Sequence, residues 1–332
     1  MAVARKLLQH AAVNVHYTRV CNFTCKFCFH AAKTSDVLPL PRLFQILAEV
    51  RSAGCDKINF AGGEPMLPAY QPTTGALVKF AKAELGFSSV SLISNGSHVN
   101  PAWFERYGEF LDIYGVSCDT QDPAINALHG RIMVAGARRR AADGTALDKV
   151  RRLRDLARKH GMRFKINTVV TALNHTENMS PVLNELVPDR WKIFQVLAID
   201  GENTGAARPR RKDVTPLQID RATFEAYVAR NTAGLRPELR HIVKPEDNLT
   251  MQKSYIIIDE HGCFLDTSSG GKTPTASILD VGVDAAAAQL LASEGGGFDR
   301  ELFYARGGYY PEAWHADRSR PHAAPICGST GV

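Results

Sequence analysis

No segment of this sequence is apolar over the length a membrane span requires, and no basic run is long enough to form a nucleic-acid groove. Internal repeats and heptad runs are absent too, which excludes a solenoid and a coiled coil. The seven cysteines are an odd number, and Cys55, Cys118, Cys263 and Cys327 are scattered. That pattern excludes a disulfide framework and suits a reducing compartment with a single metal site. Met1 to Gln9 hold Arg5 and Lys6 but no apolar stretch of signal-peptide length, so a cytoplasmic chain without a leader is expected. What is present is ordinary in bulk: 332 residues, 45% hydrophobic and 22% charged, enough for two average domains or one barrel-sized domain. The net charge of +6 fits a solvated surface and a small polyanionic substrate equally well.

The unusual feature is Cys21-Asn22-Phe23-Thr24-Cys25-Lys26-Phe27-Cys28, a CxxxCxxC spacing. Three thiolates on one tight loop can each hold one iron of a cubane iron-sulfur cluster, leaving the fourth iron open for chemistry. The bland alternative is a zinc knob with His30 as fourth ligand, although zinc sites usually pair CxxC with a distant second pair.

Downstream, hydrophobic periodicity alternates between strand and helix. Strands are expected at 12–17, 57–60, 89–94, 113–117, 164–170 and 191–197, with helices at 41–53, 74–85, 101–110, 146–160 and 177–186 between them. That alternation predicts a parallel sheet with right-handed crossovers, here a partial six-stranded (β/α)6 TIM-like barrel over residues 12–199. Residues 1–11 are expected to be a tail, 200–212 a linker, 200–320 a C-terminal extension and 321–332 a disordered end. Within the extension, 215–231 reads as helix, 253–259 and 263–266 as a hairpin about His261-Gly262, and 280–291 as helix. The chemistry-bearing motifs follow successive strands, at the carboxyl ends where α/β folds bind ligands.

Lys57, Lys165 and Lys192 stand inside or at the start of strands expected to be covered on both faces. Each must snorkel to an edge or meet an anion, and several converging cations call for a polyphosphate.

CxxxCxxC with Phe27 inside it, followed by Phe60-Ala61-Gly62-Gly63-Glu64-Pro65, resembles the radical S-adenosylmethionine (SAM) superfamily. The wider run Asn14-Val15-His16-Tyr17-Thr18-Arg19, Cys28-Phe29-His30 and Ala32-Lys33-Thr34-Ser35 is similar to its viperin-type members, and the likeness continues to about Tyr310. It implies a 4Fe-4S cluster on Cys21, Cys25 and Cys28, with SAM chelated by the open iron. Phe27, Gly62, Gly63, Glu64, Ser94, Asn95, Ser117 and Arg131 are then the SAM-site residues. Gly62 and Gly63 would let the backbone approach the ligand, Glu64 would accept from its ammonium group, and Ser94 and Asn95 would reach the adenosine ribose.

The resemblance further implies a nucleoside triphosphate substrate, CTP or UTP, and an external electron donor. Loss of the C4′ hydrogen and of the 3′-hydroxyl as water, with one further electron and a proton, gives the 3′-deoxy-3′,4′-didehydro nucleotide. Substrate contacts carried over are Asn14, Lys57, Lys165, Asn167, Lys192, Lys272 and Arg306, with Tyr255 as a candidate acid in the dehydration or simply a packed strand tyrosine. The chain departs from animal relatives in a basic insertion at 131–143 and in its C-terminal ending, which puts cluster assembly through that tail in doubt. It begins almost at the catalytic domain, so no membrane anchor is expected, and a monomer with no nucleic-acid partner is anticipated. Two rival readings are a peptide- or cofactor-modifying radical SAM enzyme and a non-catalytic metal-stabilised module.

Overall fold

The computed structural model describes residues 2–31, 33–132, 145–210, 212–293 and 297–308. Strands β1 (Ala12–Val15), β2 (Lys57–Phe60), β3 (Ser89–Ser94), β4 (Ile113–Ser117), β5 (Arg163–Val170) and β6 (Arg190–Gln195) lie side by side, parallel and in chain order. Between them run α2 (Leu40–Ser52), α3 (Gln71–Lys79), α4 (Pro101–Tyr107), α5 (Pro123–Leu128), α6 (Ala146–Lys159) and α7 (Ser180–Leu186). Local chemistry starts α4 and α6 where expected, whereas α3 and α7 begin three residues from their expected starts and α5 was not foreseen. Asn100 accepts from the Trp103 N–H to open α4, and Thr145 with Asp148 forms a reciprocal capping box at α6.

The strands are not apolar on both faces. Val13, Ile58, Phe60, Val90, Leu92, Tyr114, Val116, Phe164, Ile166, Trp191 and Ile193 form one face and join the buried core with the helices. The opposite face is polar. Asn14 aligns with Asn59 and Asn59 with Ser91; Gly115 aligns with Lys165 and Lys165 with Arg190; Ser117 aligns with Asn167 and Asn167 with Lys192. Because side chains alternate along a strand, this register gathers the lysines and asparagines on one side. The sheet also curls. Lys57 on β2 interacts electrostatically with Arg190 and Lys192 on β6, whereas a flat sheet would hold β2 and β6 roughly 19 Å apart. The polar face is therefore the inside of a partial barrel.

The C-terminal extension builds onto the same sheet. β7 (Val243–Glu246), not foreseen, pairs parallel with β6, and β8 (Ile256–Ile258) pairs parallel with β1. β9 (Cys263–Asp266) returns antiparallel through the expected turn, where Gly262 has φ of 80°, and β10 (Thr273–Ser277) adds the outer edge. Three expectations are corrected. Residues expected to be a tail form α1 (Ala2–Leu8), whose Ala4, Leu7 and Leu8 are buried; the Ala4 N–H donates to Asp284 at 2.8 Å, within α10 (Ile278–Leu291). The expected linker holds Glu202 and Asn203, both buried, because their polar groups are answered from inside the fold. The expected 215–231 helix divides into a single tight turn, Thr215–Leu217, and α8 (Arg221–Ala233), which Asp220 caps. Helix α9 (Asn248–Lys253) precedes β8, and α11 (Arg300–Ala305) brings Arg306 back under the barrel. The insertion beyond residue 132 and the expected disordered end lie outside the described residues. Among the described residues no helix is long and apolar enough to cross a membrane.

Candidate active site

At the carboxyl end of β1 the chain turns into the cysteine loop. The loop is fixed largely by its backbone: Gly63 N–H donates to Thr18 O at 2.7 Å, Glu64 N–H to Val20 O at 2.8 Å, and Thr24 N–H to Gly130 O at 3.1 Å. A Cβ on Gly62 would stand 2.4 Å from Thr18 O, and one on Gly63 would stand 2.0 Å from Val20 O. These glycines thus permit a close approach of the chain's own backbone.

Glu64 is likewise committed within the chain. Its carboxylate accepts from Met66 N–H at 2.8 Å, Ser94 Oγ at 2.8 Å and Asn95 N–H at 2.6 Å. Burial pushes it up to about 7, against the pull of these donors. It therefore ties the loop after β2 to the loop after β3, and an ammonium group would meet a carboxylate already holding three donors. Asn95 continues the chain of contacts, donating through Nδ2 to Asn22 Oδ1 at 2.9 Å and to Cys21 Sγ at 3.7 Å. Arg131 pairs with Asp119 at 2.9 Å and donates to the carbonyls of Ser117 and Asn95 at 3.1 and 3.3 Å. Phe27 packs with Val196, Val214 and Leu217 behind the loop. Cys21, Glu64, Ser94, Asn95, Ser117 and Arg131 are thus brought together by four loops at one end of the barrel.

The three thiols fit a cubane cluster better than a single zinc ion. Burial pushes the Cys25 thiol up to about 12, with Arg131 acting against it and Cys28 and Cys21 adding to it, so the three sulfurs sense one another. Burial also pushes Cys21 up to about 11, while its Sγ already receives the Phe23 N–H at 3.4 Å. Coordination would supply the charge that makes these thiolates stable. His30, the zinc candidate, instead faces Lys272 Nζ at 2.8 Å.

The other end of the barrel carries positive charge. Lys57, Lys165, Arg190, Lys192 and Arg306 are each no more than 8% exposed and act on one another. Burial brings Lys165 down to about 7, with Arg190 and Arg306 adding to the effect and Glu246 opposing it. Burial lowers Lys57 and Lys192 well below the ordinary lysine value. Lys57 donates to Gly308 O at 3.2 Å and Arg190 to Gly307 O at 2.9 Å, so Gly307-Gly308 closes this floor. Tyr255 is part of it, one residue before β8, and receives Lys192 Nζ at 3.0 Å. Above the floor, Asn14 accepts from Asn59 Nδ2 at 3.3 Å and donates to Ile256 O at 3.2 Å. Asn167 Oδ1 is buried with no partner among the described residues.

Lys272, which the resemblance assigns to the triphosphate, is not among these floor cations. It belongs to a second buried cluster, 3.6 Å from Glu202 and over the Phe29 ring at 5.0 Å. There Arg19 bridges Glu202 at 2.9 Å and Glu260 at 2.5 Å, clasping the start of the cysteine loop to the extension. By register the β9–β10 connection that carries Lys272 is level with the start of β1, and it is the side chain's contacts with His30 and Glu202 that join it to this cluster. Reading the sequence missed Arg190, Glu246, Glu202 and Glu260. Arg190 had a signal, since it stands two residues before Lys192 on one strand. Glu246, in a Pro-containing segment with no periodicity, had none.

An α/β barrel with three loop thiols at the carboxyl ends of its strands is the architecture of a radical SAM enzyme. The family model described as "Radical SAM superfamily" matches residues 15–184. Solved structures similar in fold include anSMEcpe with bound AdoMet, with a TM-score of 0.60, 14% identity and coverage of 88% of this chain and 84% of that one. Streptococcus suis SuiB bound to S-adenosylmethionine follows, with a TM-score of 0.58, 15% identity and coverage of 90% and 68%. Among curated proteins, the S-adenosylmethionine-dependent nucleotide dehydratase RSAD2 of Siniperca chuatsi is 40% identical over 301 residues, covering 90% of this chain and 78% of the relative. The S-adenosylmethionine-dependent nucleotide dehydratase of Flammeovirga pacifica is 30% identical over 310 residues, covering 90% and 95%. The chain therefore belongs to the radical SAM superfamily and, within it, to the nucleotide dehydratases of the viperin type.

Proposed function

We propose that this enzyme dehydrates the ribose of a pyrimidine nucleoside triphosphate, CTP or UTP, to the 3′-deoxy-3′,4′-didehydro nucleotide. The observation that carries the reading is the separation of the thiols from the buried cations along one barrel axis. Lys57 and Tyr255 stand level with the start of β1, and the cysteine loop follows its end. Three strand steps separate those levels, about 10 Å, a span suited to a triphosphate on the floor with its ribose raised toward the cysteine loop.

When bound, the cluster and SAM supply the 5′-deoxyadenosyl radical that takes the C4′ hydrogen. The chain's own residues do the rest. Cys21, Cys25 and Cys28 would hold the iron, while Asn95, Ser94, Ser117 and Arg131 would shape the SAM pocket and Glu64 and Gly62-Gly63 fix its loops. Lys57, Lys165, Arg190, Lys192 and Arg306 grip the phosphates, where burial strengthens each charge-assisted bond. Asn14 and Asn167 face the sugar, and Asn167 Oδ1 has a lone pair to offer a hydroxyl. Tyr255 is better suited to the phosphate end than to protonating the departing 3′-hydroxyl, because it lies among the floor cations. The 3′-hydroxyl leaves with a proton as water, and one electron from an external donor completes the C3′–C4′ double bond. Cysteine usage supports a cytoplasmic enzyme, and we assign it as a monomer.

The test is anaerobic: reconstitute the cluster, add SAM, reductant and each nucleotide in turn, and measure 5′-deoxyadenosine together with a product lighter by one water. CTP or UTP should raise deoxyadenosine well above the substrate-free rate. Equal, slow release with every nucleotide would refute the assignment even with the cluster intact.

A further inference from the structure

Glu246 ends β7 with no exposed side-chain surface. Its carboxylate accepts from Lys192 Nζ at 2.5 Å, from Arg306 Nη1 at 3.2 Å and from the Tyr255 hydroxyl at 2.5 Å. These donors arrive from separate parts of the chain: β6, the residue before β8, and the turn after α11. They also brace one another. Lys192 Nζ donates to the Tyr255 hydroxyl at 3.0 Å, the Arg306 guanidinium lies 4.0 Å from the Tyr255 ring centre, and Arg306 Nη2 donates to Ser254 O at 2.6 Å.

An anion with two equivalent oxygens, met by an ammonium, a guanidinium and a phenol, is the environment a phosphate group would find. Buried cations of one sign are otherwise costly to assemble before any substrate arrives. Burial alone would raise the Glu246 carboxyl, yet Lys192 and Arg306 hold it down to about 2, so it is ionised throughout the working pH range.

We infer that Glu246 is a positioning residue that stands in for a substrate phosphate. In the nucleotide-free enzyme its carboxylate keeps Lys192, Arg306 and Tyr255 in the arrangement the triphosphate uses, and in the complex it shares them with the incoming phosphate. The inference rests on reading the floor as the triphosphate site. It adds a consequence for turnover. The product keeps its triphosphate, so a floor without a resident anion would hold product as firmly as substrate; Glu246 weakens both and speeds release.

The experiment uses the full, cluster-reconstituted chain with Glu246→Gln and Glu246→Asp. Thermal unfolding is followed with and without inorganic tripolyphosphate, and KM and kcat are measured with CTP and UTP. Glu246→Gln should melt below the wild type without ligand and gain a larger upward shift from tripolyphosphate. Its KM should fall about ten-fold, the scale of removing one close like-charge contact, while kcat falls because release slows. Glu246→Asp, with its charge drawn back by one methylene, should lie between. A purely structural carboxylate would lower the melting point equally with and without tripolyphosphate and leave KM unchanged or raised; that result overturns the inference. If tripolyphosphate stabilises neither protein, the triphosphate reading of the floor falls. If it stabilises both equally, that reading stands and the stand-in role falls. Should Glu246→Gln fold only in tripolyphosphate, the stand-in role is supported; should it fold in neither condition, Glu246→Asp decides on the same two readings.

Discussion

At the carboxyl ends of the strands, the thiols and their surrounding loops are held by backbone hydrogen bonds among residues of contiguous motifs, as in Gly63 to Thr18 and Glu64 to Val20. At the amino ends, Lys57, Lys165, Arg190, Lys192 and Arg306 come from β2, β5, β6 and the turn after α11, and a side chain from β7 holds two of them. The first region tolerates little change in backbone and the second little change in charge. A cluster loop must present three sulfurs at fixed spacing, which backbone geometry does well. A polyphosphate site must keep cations close yet unneutralised, which needs desolvated side chains and a controlled counter-charge.

The largest expected effect breaks the carboxyl end. Cys25→Ala should lose SAM cleavage and product to background, with iron and sulfide content falling on metal analysis of anaerobically purified protein. Gly63→Ala is next: its Cβ would stand 2.0 Å from Val20 O, a backbone atom that cannot swing aside. Unfolding in urea should show a loss of about 3 kcal/mol or more, and retention of wild-type stability would mean that the loop is less rigid than its hydrogen bonds indicate.

At the amino end, Lys192→Ala leaves Glu246 without its nearest cation. Breaking such a buried pair typically costs about 3–5 kcal/mol, and nucleotide affinity by calorimetry should fall by about a hundred-fold or more, while SAM still binds. Unchanged affinity would move the phosphate site elsewhere and favour a peptide- or cofactor-modifying activity.

The smallest effect sharpens the electrostatics of the floor. Lys165, faced by Arg190, Arg306 and Glu246, is held at about 7 by burial first and by these neighbours. Below pH 7 it is already cationic; above that, an arriving phosphate must bring a proton with it. Tripolyphosphate affinity should therefore weaken as pH rises from 7, by up to about ten-fold per unit, and Lys165→Met should flatten that slope. A slope that survives the substitution would assign the proton to another floor group.

Much of this was legible beforehand because it depends on short stretches of chain. The six parallel strands announced themselves by periodicity, and the cysteine loop by three residue types at one spacing. What was not legible follows a different logic. Gly62 and Gly63 signal that something is close without saying what, and the backbone of Thr18 and Val20 that lies against them is visible only in the fold. Lys272, named for a phosphate, meets His30 and Glu202 in the nucleotide-free chain, contacts that no local pattern announces. Residues 2–8 looked like a tail because their apolar stripe is short, and its partner, α10, lies far along the chain.

The sequence alone settled the alternation of strand and helix, the three-sulfur loop and the family, all matters of local propensity and spacing within a few residues. Tertiary structure alone decided which face of each strand turned inward, and it carried Lys57 of β2 within reach of Lys192 of β6, with Glu246 beside them. Curl and register are collective: they arise from packing helices against one face of the sheet, and no single strand encodes where its fourth neighbour will lie.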